Sequence, residues 1–134
     1  MDVDEHASIK NRIVIQRTFR HRNIYINYNF LKNYDDPLFV GIKEEYDDLK
    51  KQVPNLEFYD PKDFLEIAQI IKSSRFFLGN QSVCFPIAEA LKVPRLLEAS
   101  PDTPLVQPVG KNGFDFYFQP HFEKWFKYLY ENTK

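Results

Sequence analysis

Apolar and polar residues follow one another along this chain in short blocks, whose period switches from strand-like to helix-like and back. Ile13-Val14-Ile15, between Arg12 and Gln16, is a β-branched run that predicts a first strand. Leu38-Phe39-Val40-Gly41, residues 56–59, Arg75-Phe76-Phe77-Leu78 and Arg95-Leu96-Leu97-Glu98 predict four more, and residues 114–118 alternate like a last one. Between them Ile26, Phe30 and Tyr34 recur at helical spacing. Tyr46, Leu49 and Val53 form a thin apolar stripe on a charged helix over 43–52. Phe64, Ile67, Ala68 and Ile71 give the clearest helical face, behind Asp60-Pro61 read as its cap and first turn. Gly79-Asn80-Gln81-Ser82 turns into a helix reaching about Leu91, and Pro120 opens a final helix carrying Phe122, Trp125, Phe126 and Leu129.

Strands alternating with helices at short intervals predict an α/β, Rossmann-like fold: a mainly parallel sheet of about six strands with helices on both faces. Residues 1–10 read as a flexible leader and 11–134 as one domain. In such sheets a ligand sits beyond the carboxyl ends of the strands. That directs attention to 18–23, 41–43, 79–82 and the Pro- and Gly-rich segment 100–113.

The composition, 43% hydrophobic with a net charge of −1, excludes a disordered chain. Cys84 is the single cysteine, so no internal disulfide forms, and its apolar neighbours make it a buried structural thiol. The acidic start lacks the form of a signal peptide, and no apolar run approaches the roughly 20 residues of a membrane span; a cytoplasmic protein is expected. Charge is segregated, however. Lys10, Arg12, Arg17, Arg20, Arg22 and Lys32 occur with no acid between His6 and Tyr34, and an acidic stretch follows. A basic opening segment suits phosphates.

Neither a G-x-G-x-x-G after the first strand nor a P-loop is present. His6, His21, His121 and Cys84 lack metal-ligand spacing, so no metal or cofactor is expected. The 79–82 turn joins a strand to a helix N-terminus, where free N–H groups and the helix dipole favour an anion. There Ser82 is placed to cap the helix and offer its hydroxyl.

Read together with Glu89-Ala90-Leu91-Lys92-Val93-Pro94, this turn resembles the donor-binding, C-terminal half of GT-B glycosyltransferases, above all the heptosyltransferase-like group. The shared pattern is a helix, a strand ending Gly-Asn-x-Ser, a helix with Glu-Ala-Leu, then Val-Pro and a strand. It extends more faintly over most of the chain. Gln81 stands where that group usually has Asp, and Val83-Cys84-Phe85-Pro86 where Gly-Pro and Met-His are usual. The resemblance implies a nucleotide-sugar-binding domain, one lobe of two, that does not complete sugar transfer alone. It implies that Asn80, Gln81 and Ser82 lie at the donor diphosphate, with basic support from the 18–23 side through Arg17, Thr18, Arg20 and Arg22. Glu89 would accept from ribose hydroxyls. Candidate bases are His21, Asp102 and Glu89, and the implied partners are a nucleoside-diphosphate sugar and an acceptor-domain chain or second copy. Two other classes compete. A non-catalytic nucleotide-binding or regulatory module needs only the turn and Glu89. A nucleic-acid binder would use the three arginines with Phe19, Tyr25 and Tyr28 as stacking platforms, but the balanced charge and pI of about 6.3 speak against it.

Overall fold

A computed structural model describes residues 2–101 and 108–133. The strands are β1 (Ile13–Gln16), β2 (Leu38–Val40), β3 (Glu57–Tyr59), β4 (Phe76–Asn80), β5 (Arg95–Glu98) and β6 (Gly113–Phe116). The helices are α1 (Lys43–Lys50), α2 (Phe64–Lys72), α3 (Cys84–Leu91) and α4 (Gln119–Asn132), with a short 3₁₀ helix at Asn29–Asn33. The six strands form one sheet in the order β3-β2-β1-β4-β5-β6. Every pairing is parallel. This is the doubly wound arrangement, and its strand order reverses between β1 and β4.

Alternation along each strand divides the apolar residues between two cores. Ile13, Ile15, Phe39, Phe76, Leu78 and Leu96 face one way, onto α1, the 3₁₀ helix and α4. Val14, Leu38, Val40, Phe77 and Leu97 face the other way, onto α2 and α3. Helices thus cover both faces, as the near-continuous apolar strands require. Gly79 lies inside β4, where a Cβ would stand 2.8 Å from the Gln16 carbonyl oxygen. Only glycine lets the two central strands run this close.

Several boundaries differ from the sequence reading. Gly79 and Asn80, read as turn, continue β4, because Gly79 pairs with Gln16 and Leu97 and Asn80 with Glu98. The turn is therefore residues 81–83. The cap of α2 is Asp63, which accepts from the Glu66 N–H at 2.9 Å, instead of Asp60. The helix expected around 26–34 shrinks to the 3₁₀ turn, because Tyr28 and Ile26 are drawn inward separately. In the segment read as a leader, His6 is buried against α2. Its Nε2 is 2.9 Å from Glu66 Oε2, and its Nδ1 accepts from the N–H groups of Ser8 and Ile9. Hydrogen bonds from Tyr59, His6 and the Lys62 N–H pull the Glu66 carboxyl down to about 2. No helix among the described residues is long and apolar enough to cross a membrane.

Candidate functional site

Thr18 follows β1 and Asn80 ends β4, so the parallel pairing of these strands brings their outgoing loops together at the carboxyl edge. Asn80 ties them. Its Oδ1 accepts from Thr18 N at 3.0 Å and Thr18 Oγ1 at 3.2 Å, and its Nδ2 donates to the carbonyls of Thr18 and Arg20, both at 2.9 Å. Asn80 is fully buried, and both ends of its amide are engaged. It shapes the loop and has nothing left for a ligand.

Gln16 does the same for the other rim. Its Oε1 accepts from Ser82 Oγ at 2.5 Å and from Cys84 N at 3.4 Å, which seats the 81–83 turn over the end of β1. The Ser82 proton is therefore committed to Gln16, and the hydroxyl shows the cavity its lone pairs. Gln81 makes no hydrogen bond to the described residues, so its N–H and side-chain amide remain open to a ligand. Beneath the turn, burial pushes the Cys84 thiol up to about 12, leaving it protonated and inert.

Between these rims is a cavity of about 300 Å³ lined by Thr18, Arg20, His21, Glu45, Gln81, Ser82 and Val83. Four of the eight residues expected at a ligand converge there: Thr18, Arg20, Gln81 and Ser82. The Arg20 side chain is exposed and has no acidic partner among the described residues. His21 lies beside it with φ of 60°, a left-handed backbone that a non-glycine residue seldom adopts.

The other four are occupied elsewhere. Arg17 is buried, with Nε 2.8 Å from Glu98 Oε1 and Nη2 3.1 Å from Glu98 Oε2, under the ring of Tyr28. Burial opposes its charge, yet Tyr28 and Glu98 hold its pKa above the ordinary arginine value. Arg22 binds Asp48 at 2.7 Å and the Thr18 carbonyl at 3.0 Å, while its Nη2 is buried without a hydrogen-bond partner among the described residues. Asn80 is the tie just described. Glu89 lies near the far end of α3, five residues or about 8 Å of helix beyond its first residue, Cys84. It accepts from Arg95 Nε at 2.6 Å, Lys92 Nζ at 2.5 Å and the Val109 N–H at 3.2 Å. Burial works against ionisation of Glu89, but these donors win and lower its pKa. Arg95 opens β5 and is fully buried, so this cluster belongs to the amino end of the sheet. Glu89→Ala is accordingly expected to cost about 1–3 kcal/mol by stripping a buried guanidinium of its carboxylate. Nucleotide affinity should stay within about twofold of the parent, read by urea denaturation beside titration calorimetry.

Asp102 lies outside the described residues. Tyr28 is fully buried and Arg17 nearly so, which removes both from any nucleic-acid stacking surface. Among the described residues, no group of three or more His, Cys, Asp or Glu side chains gathers as a metal site. Glu45 is the charged cavity residue that sequence reasoning missed. The signal was its position, two residues past the 41–43 segment that leaves β2 at the same sheet edge. Compared with known proteins, the sequence matches no protein-family model and no curated protein.

Proposed function

We propose that this chain binds a nucleoside-diphosphate sugar, diphosphate foremost, in the cleft between the β1 loop and the 81–83 turn, acting as the donor lobe of a GT-B-like glycosyltransferase. The observation that carries this reading is the Arg20 side chain, exposed and without an acidic partner among the described residues, lining the same cavity as the 81–83 turn. A guanidinium gives a phosphate paired N–H donors in fixed geometry. The Gln81 N–H and the amino end of α3 lie across from it, adding the partial positive charge of a helix N-terminus. The position at the strand-order reversal agrees with where doubly wound sheets hold ligands. Val83, an exposed apolar residue, lines the cavity, which suits a lobe that is covered when it works. An acceptor-binding chain is the cover this reading requires.

One observation favours a second reading, a binding module without catalysis. The His21 ring has no hydrogen-bond partner among the described residues, so nothing selects its tautomer or aims it at an acceptor.

Calorimetric titration with ADP, GDP, UDP and pyrophosphate tests the shared part of both readings. Arg20→Ala should weaken whichever nucleotide binds by about tenfold, or about 1.4 kcal/mol, with a shallower salt dependence. Its melting should be nearly unchanged, because an exposed side chain without partners adds little to stability. Unaltered affinity in Arg20→Ala would place the anion elsewhere.

A further inference from the structure

A carboxylate in the wall of an anion-binding cleft repels part of what the cleft attracts, and Glu45 is such a group. It is the third residue of α1 and is more than nine-tenths buried. Buried carboxylates are normally paired with a cation. Glu45 has no ion pair among the described residues, since the nearby Lys43 is bound to Asp47 and Arg22 to Asp48. Its Oε2 accepts from the Phe19 N–H at 2.9 Å, while Oε1 receives no hydrogen bond from the described residues and Glu45 lines the cavity. The N-terminal position on α1 stabilises the charge somewhat through the helix dipole, but leaves that oxygen without a donor.

Resting on the binding reading above, we infer that Glu45 is the hydroxyl-recognition residue of the cleft, taking the vicinal hydroxyls of a sugar ring while Arg20 takes the phosphates. Two facts select a hydroxyl group as its partner. An anion is turned away from Oε1 by charge. Arg20 and His21 already line the same cavity, so a cationic ligand would face a basic wall. A neutral donor meets neither objection, and Oε1, which faces the cavity and takes no hydrogen bond from the described residues, is an acceptor available to it. The ligand is thereby oriented, phosphate end toward Arg20 and the 81–83 turn, sugar end toward α1. Glu45, and not the Arg95-bound Glu89, supplies the acceptor.

The hydroxyls belong either to the ribose or to the transferred sugar, and the experiment separates them. Parent and Glu45→Gln proteins are titrated with pyrophosphate, with ADP and UDP, with their 2′,3′-dideoxy analogues, and with ADP-glucose and UDP-glucose. The amide oxygen of the variant still accepts from Phe19 N–H, so the loop keeps its tie. With ribose recognition, the parent binds the dideoxy analogue at least tenfold more weakly than the intact nucleotide. Glu45→Gln then loses a similar factor for the intact nucleotide and nothing for pyrophosphate. With recognition of the transferred sugar, the loss is confined to the glucose-bearing ligands. Equal losses for every probe, pyrophosphate included, would overturn the inference and make Glu45 a loop brace, while leaving nucleotide binding standing. No binding of any probe by the parent would overturn both.

Discussion

Arg17→Met is expected to destabilise the fold by about 3–5 kcal/mol, the cost of leaving a buried carboxylate without its cation. Glu98 has no side-chain exposure and Arg17 almost none, and the pair is bidentate. Glu98 also accepts from Tyr28 Oη at 2.6 Å and from Asn23 N at 2.8 Å. Burial and then the Glu98 charge raise Tyr28 well above its ordinary value, so the phenol stays a donor. Removing Arg17 leaves those two donors in place but no countercharge, within a net stability of about 5–15 kcal/mol. Urea denaturation should therefore show a large fall in midpoint. Arg17→Met combined with Glu98→Leu should recover part of the loss, because an apolar pair of similar volume avoids the charge penalty. Recovery stays partial, since Tyr28 Oη and Asn23 N then lack an acceptor. A loss below about 1 kcal/mol for Arg17→Met would mean that water reaches the pair.

That ion pair also marks where sequence reading stops. Periods of two and 3.6 are local, so the strands, the α2 and α4 faces and the parallel architecture were legible from the spacing of Val, Ile, Leu and Phe alone. The convergence of the 18–23 loop with the 79–82 region followed from topology. What was not legible was the partner of each charge. Arg17 looked like a phosphate ligand until Glu98, distant in sequence, claimed it. Glu89 looked like a ribose ligand until Arg95 claimed it. Arg20 stays available because no acid among the described residues pairs with it, and Glu45 draws attention because no cation among them pairs with it. In a segregated charge pattern, the informative residues are those the fold leaves unpaired, and only the fold identifies them.

Asn80 is a sharper test of how the cleft is built, because a single-atom change converts its tie into a repulsion. Asn80→Asp keeps the shape and the two bonds accepted from Thr18, but replaces the donor that serves the Thr18 and Arg20 carbonyls with an anionic oxygen. Two partly buried carbonyls then face a negative charge. The expected cost at pH 7 is on the order of 3 kcal/mol, from two lost hydrogen bonds and the desolvated charge. The introduced carboxyl is more readily protonated in the folded chain than in the unfolded one, so its folded pKa is raised. The penalty is therefore full above that raised pKa and relieved as the pH falls toward the unfolded value, roughly 4. Stability of the variant relative to the parent should rise between pH 7 and pH 5. The same change bears on the proposed binding: the Arg20 carbonyl loses one of its two donors and keeps only Thr18 Oγ1 at 3.0 Å, so the loop that carries Arg20 is held less firmly and nucleotide affinity should fall about tenfold, about 1.4 kcal/mol. Denaturation curves across pH, together with titration of ADP and UDP under conditions where the variant remains folded, separate the two effects. A variant as stable as the parent at pH 7 would show that Asn80 does not hold the loop. One that is destabilised yet binds normally would show that the loop is not part of the phosphate site.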